Sequence, residues 1–87
     1  MVIEKNKITI RNSDFRKYFA AHFGTTHTKR TVHLDVGNEV TTLPDKKQAN
    51  VSDCQLIMDF PSFKALVELL NYEFEQIEKE FGKIKED

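Results

Sequence analysis

The sequence predicts an α+β domain, in which an antiparallel β-meander of three to four strands is followed by one long C-terminal helix packed on the sheet. Two observations carry this expectation. Residues 31–36 alternate polar and apolar without a break, as a strand with one buried face does. From Asp59 onward the period changes. Phe63, Leu70, Ile77 and Ile84 recur every seven residues, with Val67, Phe74 and Phe81 interleaved at the same period. That 3-4 spacing lays an apolar stripe along one side of a helix and lets it face a partner.

The 87 residues suffice for one domain, with a core near the lower limit of what stabilises a single chain. Residues 1–14 are expected to form a strand-and-turn extension, 15–58 the meander and 59–84 the helix. One cysteine, Cys54, allows no disulfide within the chain. That and the absence of a secretory pattern read as a reducing, cytoplasmic setting. No apolar run approaches the roughly 18 residues of a membrane span, so no membrane partner is expected. Small domains without staples often gain stability by oligomerising.

A net charge of −1 conceals an asymmetry: residues 1–48 carry nine Lys and Arg against five Asp and Glu, and residues 49–87 carry four against nine. The halves can attract each other within a subunit or between subunits. Such a balance does not demand a nucleic-acid partner, which usually meets a clear basic excess.

The elements follow in order. Ile8 and Ile10 alternate with Lys7 and Thr9, as a first strand would, and Asn12-Ser13-Asp14 is a turn cluster. Residues 15–23 fit two patterns. Phe15, Tyr18, Phe19 and Phe23 suit a helical face with Ser13 as cap and Gly24 as stop, whereas Phe19, Ala21 and Phe23 alternate as in a strand. Pairing with residues 31–36 favours the strand. A hairpin closed by Gly24 to Arg30 sets Phe23 opposite Val32, Ala21 opposite Leu34 and Phe19 opposite Val36, so each core position meets an apolar partner. Gly37 to Gln48 reads as a polar connection with a Pro44-Asp45 turn. Val51 to Met58 reads as a third strand, apolar on both faces and therefore central. Asp59 is the expected N-cap, Pro61 lies in the first turn, and Gly82 suits the position after the last turn.

Tyr18-Phe19-Ala20-Ala21-His22-Phe23, Leu34-Asp35-Val36-Gly37, Met58-Asp59-Phe60-Pro61 and Ile77-Glu78-Lys79-Glu80-Phe81-Gly82 resemble the marks of a small bacterial and archaeal family known as a domain of unknown function. In that family a hairpin ends in aliphatic-Asp-aromatic-Gly, a third strand runs into a Met-Ser-Pro helix start, and the helix closes on Tyr-Glu-x-x-Phe-Gly. Here Asp59 stands in the Ser position and Ile77 in the Tyr position. The resemblance spans about residues 17–84. It implies a compact α+β subunit with residues 17–23 as a strand, and it carries over no catalytic residue.

Candidate chemistry is sparse. In the hairpin register above, His22 faces His33, with Asp35 two residues on and His27 in the loop. Two facing imidazoles could share a divalent metal, although no metal-ligand motif supports this over a solvated sheet face. Cys54 reads as a structural cysteine in a buried strand, since an activated thiolate needs a positive, open setting. Lys29 and Arg30 at the hairpin tip, with Arg16 and Lys17 at the far end of that strand, could contact phosphates without reading bases. Phe19 and Phe23, assigned to the core by the register, would not be free to stack on bases. No motif calls for a cofactor, and no residue set meets the geometric demands of catalysis.

The helix carries more. At 1.5 Å per residue it is roughly 33 Å long and overruns strands of six or seven residues. Its first half would cover the sheet, leaving Leu70, Phe74, Ile77 and Phe81 to a second subunit. The expected protein is thus a non-enzymatic homodimeric binding or scaffold module, open to a protein partner. A nucleic-acid-associated protein using the basic hairpin is the alternative, followed by a metal-binding protein using His22 and His33.

Overall fold

The computed structural model describes residues 8–85. Its elements are β1 (His22–His27), β2 (Thr31–Gly37), β3 (Glu39–Thr42), β4 (Gln48–Val51), β5 (Cys54–Asp59) and α1 (Phe60–Phe81). Strands β1, β2 and β5 form an antiparallel sheet in that spatial order, and β3 pairs with β4 in a separate two-stranded ribbon. With the single long helix this is an α+β arrangement.

Strand β2 is the centre of the sheet, with Val32, Leu34 and Val36 on one face and Thr31, His33 and Asp35 on the other. The hairpin into it is tighter than expected. Thr28 makes it so: its hydroxyl accepts from the Arg30 and Thr31 amides at 3.2 and 3.0 Å, and its own amide donates to the Thr31 carbonyl at 2.9 Å. A threonine side chain closing on the backbone two and three residues ahead stabilises a short turn. The connection shrinks to Thr28–Arg30, and β1 shifts along β2 by four residues. Phe23 therefore faces Val36, Thr25 faces Leu34 and His27 faces Val32. Inside and outside faces are preserved, because an even shift keeps the alternation.

That shift corrects several expectations. Residues 15–20 are not a strand, although the Ala21 amide still donates to the Gly37 carbonyl at 2.9 Å just ahead of β1. Phe19 and Phe23, expected in the core, are 79% and 63% exposed. Ile8 and Ile10 lie outside any strand and are exposed, while the rest of the expected first strand, through Lys7, lies outside the described residues. The Asn12 turn forms, its side chain accepting from the Asp14 amide at 2.9 Å.

The polar connection folds as well. Residues 39–51 make the β3–β4 ribbon around Leu43-Pro44-Asp45-Lys46, where Pro44 suits the first turn position and Lys46 adopts a φ of 69°. Val51 belongs to this ribbon, so the last sheet strand begins only at Cys54. Strand β5 pairs with β2 alone and is an edge, which corrects its expected central position. Its doubly apolar pattern reflects exposure: Ile57, on the face away from Val32, is 61% exposed.

Helix α1 starts as its sequence dictates. Asp59 is extended (φ −75°, ψ 171°) and accepts from the Ser62 amide at 2.8 Å, and Pro61 occupies the first turn. Gly82, at φ 87°, ends the helix while its amide donates to the Glu78 carbonyl at 2.9 Å. Ile84 therefore lies beyond the helix, and the apolar period loses its last member. The interior is thin. Val32, 7% exposed, is the only buried hydrophobic side chain among the described residues. It lies opposite Met58 on β5, with Phe63 and Leu66 of the first helical turns half-buried.

Candidate interaction surface

At 100° per residue, Phe63, Val67, Leu70, Phe74, Ile77 and Phe81 fall within one narrow sector of α1. No residue of this helix is buried. Leu70 is 56% exposed, Phe74 48% and Phe81 76%, with Val67 and Ile77 also exposed. The four residues assigned to an assembly surface are thus brought together on one open face. Lys64, Asn71 and Glu78 follow one flank of the stripe at seven-residue intervals, and Leu66, Glu73 and Glu80 follow the other.

A cavity of about 290 Å³ opens at the amino-terminal end of the stripe, lined by Thr25, Thr26, His27, Val32, Phe60 and Phe63. It lies where the end of β1 meets the first helical turn. The β1–β2 turn, carrying Lys29 and Arg30, continues directly from this wall. The two ends of the helix consequently differ in charge. Lys64, Lys29 and Arg30 gather near its start, and Glu73, Glu75, Glu78 and Glu80 crowd its second half. Only Lys79 supplies a positive charge in the last turn, where the helix dipole favours one.

The accessible surface is 8276 Å², whereas a compact monomer of 10.2 kDa exposes about 5,300 Å². Much of the difference comes from chain that packs on nothing: residues 8–21 lie outside every strand and helix and are exposed at all but Ala20.

The remaining candidates are separated or already engaged. The tighter hairpin sets His22 opposite Gly37 and His33 opposite Thr26, so the expected facing pair does not form. The two register positions are four residues apart, roughly 14 Å along the strand. His22 Nε2 lies 2.8 Å from the Glu39 carbonyl oxygen. A carbonyl only accepts, so that nitrogen carries a proton and offers no lone pair to a metal. His27 falls on the Val32 face of the sheet, away from His33. Among the described residues no three of His, Cys, Asp and Glu converge as a metal site would require.

A second cavity of about 290 Å³ brings His22, Asp35 and Ser52 to one rim. Their connections do not make a relay. Ser52 Oγ donates to Asp35 Oδ1 at 2.8 Å, and Gln55 Nε2 donates to the same oxygen at 3.3 Å. A hydroxyl bound to a carboxylate in this way has no imidazole to take its proton. Cys54 is half-buried and reduced. Arg16 and Lys17 precede β1 and Lys29 and Arg30 follow it, so the whole strand intervenes between the two basic pairs. No described helix is long and apolar enough to cross a membrane.

The sequence disclosed the helical stripe by its period. The cavity beside Phe63 was not legible, because it depends on the four-residue shift of β1 that Thr28 imposes. Compared with families of known proteins, with curated proteins and with solved structures, the chain matches none.

Proposed function

We propose that this chain is a non-enzymatic binding or scaffold module that works as a homodimer joined through α1. The observation that supports this reading is the apolar stripe of Leu70, Phe74, Ile77 and Phe81, which stays exposed in the single chain. Burying such a face removes roughly 25 cal/mol per Å² of apolar surface from water. A stripe of this length left in solvent invites association. The small interior points the same way, since one buried valine among the described residues gives the subunit little apolar burial of its own.

Light scattering tests the reading directly. The wild type is expected at the mass of two 10.2 kDa chains. Phe74→Asp combined with Phe81→Asp is expected at the mass of one, with its helix retained by circular dichroism. A wild type that stays monomeric at high micromolar concentration would defeat the proposal.

A further inference from the structure

We infer that the partner of the helical stripe is a second copy of this chain laid antiparallel across it, with Phe81 of that copy entering the cavity beside Phe63. This rests on the homodimer reading above and specifies its geometry. Two independent observations select it, the charges flanking the stripe and the position of the cavity.

The charges decide orientation. When two identical helices meet face to face in parallel, a two-fold axis along their length brings opposite flanks together. Turning one helix end for end brings like flanks together instead. In the parallel arrangement Glu73 of each copy sits beside Glu78 of the other, and this clash of like charges occurs twice. In the antiparallel arrangement the flank of Lys64, Asn71 and Glu78 meets itself reversed. Lys64 then lies beside Glu78 of the second copy, twice, with the two Asn71 side chains meeting between them. One unfavourable contact, between the two copies of Glu73, remains on the other flank. Flanking charges of this kind set helix orientation. The reversal also places the acidic end of each helix near the Lys29 and Arg30 turn of its partner.

The cavity fixes the register. With Lys64 beside Glu78, the apolar layers pair Leu70 with Phe74 and Val67 with Ile77, and Phe63 with Phe81. Phe81 is the most exposed member of the stripe, and Phe63 lines the cavity. Cavities of about 150 Å³ already accommodate a benzene ring, and this one measures about 290 Å³. The same pairing therefore satisfies the charges and fills the space.

Disulfide trapping in a Cys54→Ala background tests the geometry without altering the apolar stripe. Asn71→Cys is expected to form a cross-linked dimer with itself, and a mixture of Lys64→Cys and Glu78→Cys to give the mixed cross-linked dimer. A mixture of Glu73→Cys and Glu78→Cys is expected to give no mixed cross-link, only Glu73→Cys joined to itself. A mixed Glu73→Cys–Glu78→Cys cross-link in place of the first two products would establish a parallel dimer and overturn the inference while leaving the homodimer reading intact. A dimer by light scattering in which none of the three cross-links would place the contact elsewhere and overturn it too. A monomeric wild type would remove both. The first two products together with the mixed Glu73→Cys–Glu78→Cys cross-link would indicate random collision and count against the assigned geometry.

Discussion

Replacing Gly37 with alanine should destabilise this protein, whereas the same change at Gly24 should not. Gly37 is buried at the end of β2, where the ribbon folds back on the sheet. A Cβ placed there would lie far inside contact distance of the Val51 carbonyl oxygen and of the His22 ring, whose Nε2 would be 3.1 Å away. The carbonyl is backbone and has no rotamer by which to escape. Relief requires β4 to move away from β2 and His22 to leave the Glu39 carbonyl, which it reaches at 2.8 Å. Overpacking of a tight site costs about 1–3 kcal/mol, and a lost hydrogen bond about 1 kcal/mol. We expect a loss of about 3 kcal/mol, out of a total of roughly 4–13 kcal/mol for a chain of this length. The melting temperature should fall by roughly 12–24 °C, followed by far-ultraviolet circular dichroism at fixed protein concentration. Gly24→Ala supplies the contrast, because its new Cβ would find only Asp35 Cβ, at 4.0 Å. That variant should match the wild type or gain about 0.5 kcal/mol from reduced chain entropy. A Gly37→Ala protein within about 0.5 kcal/mol of wild type would refute the packing argument.

Val32→Ala removes the one buried hydrophobic side chain among the described residues and should cost about 2 kcal/mol, read as a lower urea midpoint at unchanged slope. A shift too small to measure would show that the interior lies elsewhere. Asp59 should make stability depend on acidity, since hydrogen bonds from the Ser62 side chain and amide hold its carboxyl below the usual aspartate range. A lowered folded-state value means that its contribution is present at neutral pH and disappears as pH falls through that value. Asp59→Asn keeps an acceptor without the titration, so its melting temperature should drop less than that of wild type between pH 7 and pH 3. Parallel curves for the two proteins would rule out a titrating cap.

How much of this was legible depended on how local the controlling interaction is. The helix start was, because Asp59, Pro61 and Ser62 act within one turn of chain. Its end was marked by Gly82, which adopts a φ of 87° that other residues resist, although the apolar period carried the expected span on to residue 84. The alternation of β2 fixed its faces, and matching apolar positions across the hairpin correctly placed Phe23 on the same side as Val36. The register itself was missed. It is set by one hydroxyl, that of Thr28, and apolar pairing alone favours Phe19 and Ala21 over the polar run that β1 uses. The β3–β4 ribbon escaped notice because Glu39-Val40-Thr41-Thr42 and Gln48-Ala49-Asn50-Val51 are too short and too polar to show a buried face. With the register went the histidine pair, which existed only in the longer hairpin.

Strand β5 ends at Asp59 and α1 begins at Phe60, with no loop residue between them. The strand and the helix therefore move as a lever whose fulcrum is a single peptide unit. A tilt of about 5° there swings Phe81 by roughly 3 Å over a helix about 33 Å long. Length at this joint matters as much as angle. One residue inserted between Asp59 and Phe60 would turn the helix by about 100° about its own axis, carrying Phe63 away from Val32 without altering a single apolar side chain. The aim of the whole helix is thus held by the pairing of a six-residue edge strand.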